Sequence, residues 1–242
     1  MKRYILTGVV VFMGVLVATF PARVAFNWFA PPDVALSGIS GSVWNGSAVE
    51  GLAAGAYVQD LTWRLKPASI FSGQLKFATS SKPAAGTLIA DVAISLDGSL
   101  TLSGVNGNIP LDLIHPAFQQ NRISGDVNLN FSSVVMKDGL PVDIDGNVTV
   151  TNFFVPELSS ARLGDYTALV LKTDDGITAT IDDTSGVLDV SATVTLSPDN
   201  NYQVLGEVAP RPDAPPSITQ QLQLLGSPDA RGFRPFRFEG SL

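Results

Sequence analysis

The sequence predicts an all-β protein. It reads as an antiparallel meander forming a curled sheet, or a sandwich or half-barrel, preceded by one N-terminal transmembrane helix and carrying a short C-terminal helix. Three observations predict this. Apolar and polar residues alternate over most of the chain after Pro32, the period of a strand with one buried face. Turn signals of Gly, Asp, Asn and Pro recur at short intervals, as in an all-β domain. One uncharged run, YILTGVVVFMGVLVATF at Tyr4–Phe20, has no counterpart later in the chain.

That run comes first. As helix its 17 residues span about 26 Å, the low end for crossing a bilayer. Ile, Leu, Val, Phe and Met dominate it, each favouring insertion by about 0.3–0.6 kcal/mol. Pro21 restricts the helix, and Trp28 and Phe29 follow at interface depth. No small-x-small cleavage site follows, because Phe20 or Arg23 would stand at the position that needs a small residue. The run therefore reads as an uncleaved anchor. Lys2 and Arg3 hold the N-terminus in the cytoplasm, so the bulk of the chain lies on the other side of an inner membrane, in the periplasm. The expected organisation is a cytoplasmic start at 1–3, an anchor at 4–22, a linker at 23–36 and one periplasmic β domain at 37–242.

The strands follow. In Gly86–Val105, Leu88, Ala90, Val92, Ile94 and Leu96 share one face, Asp97-Gly98 signals a two-residue hairpin, and Leu100 and Leu102 resume the face. GDVNLNFSSVV at Gly125–Val135 alternates in the same way into a turn at Lys137-Asp138-Gly139. Val142 and Ile144 lead to a turn at Asp145-Gly146, then Val148 and Val150. Tyr166–Lys172 turns at Asp174-Asp175-Gly176, Ile177–Ile181 at Thr184-Ser185-Gly186, and Val187–Leu196 at Pro198-Asp199-Asn200, before Tyr202–Val208. Pro67–Phe71 has room for one helical turn. Pro216–Leu225 is the better helix, with Ile218, Leu222 and Leu225 on one face and Gly226 as its stop. It has no cationic face and reads as a cover for an end or edge of the sheet.

Composition excludes much chemistry. The chain has no cysteine and one histidine, so thiolate, disulfide and cysteine-zinc chemistry are absent. His115, ahead of Pro116, reads as an ordinary loop histidine. The net charge of −7 is carried by scattered residues without a basic stripe, which argues against nucleic acid as a partner. No nucleophile elbow, phosphate loop or dinucleotide fingerprint occurs. Asp143 with Asp145, and the pair Asp182-Asp183, read as turn-supporting aspartates rather than metal ligands or acid–base couples. No enzyme activity, metal or cofactor is expected.

Several segments carry a family likeness. GSVWNGSA at Gly41–Ala48 gives Gly41, Trp44 and Gly46. LTWRLKPASIFSGQL at Leu61–Leu75 gives Trp63, Pro67 and Gly73. YQVLGEVAPRP at Tyr202–Pro212 gives Gly206 and Pro210, and LQLLGSPDARGFRPFRFEGSL at Leu222–Leu242 gives Gly226. Together with the single anchor, this order resembles the type II secretion system protein N family. The resemblance implies a non-catalytic inner-membrane component of the machinery that exports folded proteins, with other secretion subunits as partners. These nine residues are the candidate structural or partner motif. For Trp44 the preferred reading is a ring packed on its own sheet beside Trp63, since glycine opposite an aromatic lets the ring lie flat. A partner contact and a small-ligand pocket are the alternatives. A second function stands beside the first: a curled sheet makes an apolar trough, and at fold level the chain is similar to AsmA-like envelope proteins of lipid traffic. The discriminating feature is whether one sheet face stays apolar and uncovered over several strands.

Overall fold

The structure, a computed structural model, describes residues 2–30, 34–53, 56–82, 86–95, 97–113, 118, 120–137, 140–160 and 162–241. Two helices open the chain, α1 (Lys2–Ala18) and α2 (Ala22–Phe29). The strands are β1 (Val34–Ser37), β2 (Ser40–Gly41), β3 (Asn45–Ala53), β4 (Ala56–Leu65), β5 (Gln74–Ser81), β6 (Thr87–Ser95), β7 (Leu100–Pro110), β8 (Ser124–Lys137), β9 (Leu140–Phe154), β10 (Gly164–Thr173), β11 (Gly176–Gly186), β12 (Leu188–Leu196), β13 (Asn201–Pro210) and β14 (Arg234–Ser241). A third helix, α3 (Pro216–Leu222), lies between the last two strands.

All fourteen strands form one antiparallel sheet. The order is sequential from β3 to β14, with β1 on the outer side of β3 and the two-residue β2 also pairing with β3. No second sheet lies over it among the described residues, so the sandwich alternative falls. The accessible surface is 14813 Å², against roughly 10,400 Å² for a compact monomer of this mass. Only twelve described apolar residues are buried, five of them alanine. A single layer without a packed partner accounts for both.

The register defines two faces. Val127, Leu129 and Phe131 of β8 stand opposite Val150, Val148 and Gly146 of β9. These stand opposite Tyr166, Ala168 and Val170 of β10, and the row continues through Ile181 and Ala179, Ala192 and Val194, Gly206 and Val204, to Phe236 and Phe238. The other face of the same strands carries Asn128, Asn130, Asn147, Thr149, Thr180, Thr193 and Arg237. Side chains of the apolar row are mostly half-buried although nothing is layered over them. The sheet is therefore curled, with the apolar row inside. Register shifts in β6–β7, β8–β9 and β9–β10 supply the curl, because a bulge bends its strand and increases local twist. Glycines let rings fold flat inside: a Cβ on Gly146 would meet the Phe131 ring at 2.6 Å, and one on Gly206 the Phe236 ring at 2.4 Å.

Several sequence expectations change. Asp145-Gly146 is not a turn, because β9 runs straight through it; Gly146 is there to accommodate Phe131. Asp143 and Asp145 lie in β9 and Asp182 and Asp183 in β11, so none of the four supports a turn. The β6–β7 tip closes between Ser95 and Ser99 (3.0 Å). Gly98 takes φ +81 while Asp97 is not in the left-handed region, as in a three-residue loop rather than a two-residue one. The stretch read as a linker, 23–36, holds most of α2 and the start of β1. His115 and the Asp138-Gly139 turn lie outside the described residues.

Helix α1 has 17 residues. Among the described residues no helix is long and apolar enough to cross a membrane. Leu6, Val9, Val10, Val11, Phe12 and Val15 of α1 are all exposed, so the fold leaves most of this helix uncovered.

Candidate functional site

Alternating strands put their connections at two ends. One end collects the entry to β3, the β4–β5 connection and the tips β6–β7, β8–β9, β10–β11 and β12–β13. The other collects the β7–β8, β9–β10, β11–β12 and β13–β14 connections.

The first end holds the helices, through the Gly41–Ala48 segment. The Trp44 indole N–H donates to the Val17 carbonyl in the last turn of α1 at 2.7 Å. Met13, Gly14, Val17, Leu65 and Ile70 surround the same hollow as the Trp44 ring. The Val43 N–H donates to the Phe20 carbonyl at 3.0 Å, and the Leu65 N–H to the Trp44 carbonyl at 2.6 Å. Trp63 closes the socket from the sheet side. Its indole N–H lies 3.1 Å from the Val43 carbonyl and 3.3 Å from that of Ser42, and its ring covers Gly46, where a Cβ would come within 2.5 Å of it. Gly41, at φ +84, pairs with Gly46. Beside them Ala22, Ala25, Phe26, Leu36, Ile39 and Val43 line a second small hollow with Trp63.

Trp44 thus does not lie on its own sheet. Register pairs Trp63 with Gly46, and Trp44 sits in the bend before β3, where strand alternation does not fix its direction. Its donor instead adds a second hydrogen bond to the Val17 carbonyl, which also accepts the Phe20 N–H at 3.3 Å, and so ties the sheet to the C-terminal end of the helix. Pro67 starts the 3-10 turn Pro67–Ser72 and Gly73, at φ +73, ends it; both are at this end. Ile70 and Phe71 of that turn are exposed, Phe71 at 94%.

The other three candidates are elsewhere. Gly206 lies under Phe236 on the inner face, Pro210 ends β13 opposite Leu188, and Gly226, at φ +102, ends the 3-10 turn after α3. The nine residues therefore form no single site. Six build the helix socket and its neighbouring turn, and three shape the last strands.

The second end is closed. Ile218 of α3 is 3% exposed and Leu163 2%, with Val208 and Val127 buried as well. The Gln221 side-chain amide donates to the Glu157 carbonyl at 3.2 Å, tying α3 to the β9–β10 connection. Asp183 stands on the inner face opposite Tyr166, ion-paired with Arg211 and accepting the Val190 N–H at 2.7 Å. Burial, and then the Asp183 charge, push the Tyr166 hydroxyl up to about 12. Sequence reasoning missed this cluster, although Asp183 continues the Ile177, Ala179, Ile181 parity and so places an acid on the apolar face.

The inner face stays open at the helix end. A cleft of about 400 Å³ lies between the tips there, lined by Val142, Ile177 and Leu196 with Lys137, Lys172 and Asp174. No cluster of three or more potential metal-ligating side chains occurs among the described residues.

Fold and site define a class: a one-sheet β protein, closed at one end and socketed onto an apolar helix at the other. The chain belongs to the type II secretion system (T2SS), protein N family, whose profile matches residues 32–237. It is 23% identical over 259 residues to the type II secretion system protein N of Aeromonas hydrophila. It is 26% identical over 272 residues to the protein of the same name from Vibrio cholerae serotype O1. Both alignments cover each chain in full. No solved structure matches.

Proposed function

We propose that this protein is a non-catalytic, inner-membrane component of the type II secretion system, anchored by α1, with its sheet in the periplasm contacting other secretion subunits. The observation that carries the anchoring is the uncovered apolar surface of α1. A helix apolar on all sides and left largely uncovered by the fold belongs in lipid or against other apolar helices. Its 17 residues sit at the short limit for a span, and the exposed Trp28, Phe29 and Phe71 near its C-terminal end suit the interfacial layer where aromatic rings collect. Lys2 and Arg3 set the N-terminus on the cytoplasmic side.

Subunit contact is favoured by β14. Among the described residues it pairs only with β13, and an edge strand offers backbone donors and acceptors to an added strand. The test is deletion of the coding sequence, followed by measurement of exported proteins in the medium and in the periplasm. Periplasmic accumulation rescued by the intact chain supports the reading. Rescue should fail for Val11→Arg, which puts a charge mid-helix and releases the chain from membranes. Normal secretion in the deletion strain rejects the role.

A further inference from the structure

The inner face of the sheet has no covering layer, and its chemistry restricts what can cover it. From β8 to β14 the row is mainly Val, Leu, Ile, Ala, Phe and Gly, with Lys172 and Tyr202 toward the open end and Tyr166 and Asp183 at the closed end. An extended peptide laid on it would leave its own backbone groups unpaired, which burial penalises. A helix satisfies its backbone internally. With its side chains, however, a helix is roughly 10–12 Å across and needs a wider opening than an extended hydrocarbon chain. A hydrocarbon chain has no such groups and is thin enough.

The position of the mouth points the same way. The trough is closed by α3 at one end and open at the end where Trp44 holds the last turn of α1. Lys137 and Lys172 flank the opening with Asp174; Lys172 is only loosely paired, 3.9 Å from Asp143. Asp174 and Asp143 offset the charge of the two lysines, so an anionic headgroup on an acyl chain would be met there by two ammonium donors rather than by a net positive field.

We propose that the trough takes one acyl chain of an anionic membrane lipid, drawn in tail-first past Val142, Ile177 and Leu196 with its headgroup at Lys137 and Lys172. This rests on α1 being a membrane anchor, and the experiment separates the two. The full chain is reconstituted in vesicles containing a phosphatidylglycerol with a diazirine on its acyl chain, irradiated, and mapped by peptide mass spectrometry. Adducts are expected on α1 and on the inner-face peptides around Val142, Ile177 and Leu196. They are not expected on Leu169, Leu171 or Leu205, which are exposed on the outer face. Val142→Glu, at a residue already 42% exposed and so tolerant of change, should cut inner-face labelling by roughly tenfold while α1 labelling stays. Leu169→Glu should change neither. If Val142→Glu alters the circular dichroism spectrum, Val142→Gln replaces it with the same expectation. Labelling confined to α1 overturns the trough proposal and leaves the anchor standing. Labelling of neither overturns both, and equal labelling of the two sheet faces overturns the acyl-chain site.

Discussion

The two ends of this sheet are built from the same meander and behave as opposites. At the closed end the β7–β8, β9–β10 and β13–β14 connections are long, and they bring Leu163 and Ile218 back over the curl beside the Asp183–Arg211 pair. At the helix end most tips are tight turns that add almost no apolar volume, and the inner face runs out to solvent. Stability is thus concentrated at one end and exposed apolar surface at the other. A fold that spends its long connections on one end leaves the second free for another role.

Substitutions at the closed end should hurt most. Leu163→Ala removes a fully buried side chain and is expected to destabilise by about 2–5 kcal/mol, read from denaturant unfolding. Val142→Ala at the open mouth should cost much less, so equal losses would dissolve the contrast. Arg211→Ala leaves the Asp183 carboxylate, whose side chain is 4% exposed, without its cation. Breaking such a pair costs about 3 kcal/mol. Tyr166 adds a pH signature to the same cluster. Its folded pKa of about 12 exceeds its ordinary 10.0, so its contribution is complete below pH 10 and is lost as pH rises through 12. Tyr166→Phe should flatten that alkaline fall in melting temperature.

The helix end should respond more mildly and more locally. Gly46→Ala drives a Cβ against the Trp63 ring and the Ser40 carbonyl. It should cost about 1–3 kcal/mol and shift tryptophan fluorescence. Smaller still is Trp44→Phe, which keeps a ring but loses the bond to Val17, worth about 1 kcal/mol. Its mark is faster amide exchange in the last turn of α1 and in the Gly41–Ala48 segment, with the closed end unaffected.

Much of the fold was legible in the sequence because period-two alternation reports directly on a sheet with one apolar face. Leu88–Ile94, Val127–Phe131 and Ala192–Leu196 all lie where alternation puts them. Turn signals were less reliable: Asp145-Gly146 looks like Asp97-Gly98, yet one is mid-strand and the other a tip. Local turn chemistry cannot register that Phe131 of the neighbouring strand needs a glycine beside it. Trp44 escaped for a related reason. Its contact with Val17 is 27 residues away in sequence and joins a helix to a bend, and no periodicity spans that pair. Asp183–Arg211 was equally hidden, since its 28-residue separation is set by two intervening turns. The absence of a second layer was undecidable from alternation, which looks the same in a sandwich and in a lone curled sheet.

In the proposed orientation the helix end lies at the membrane and the closed end away from it. β13, ten residues long, separates Asp199 at one end from Asp213 at the other by about 33 Å. The chain lacks cysteine, so Asp199→Cys and Asp213→Cys each give a single labelling site on an exposed residue. With the full chain in vesicles bearing a headgroup quencher, a fluorophore at 199 should be strongly quenched and one at 213 barely affected. Equal quenching, or stronger quenching at 213, would contradict the account.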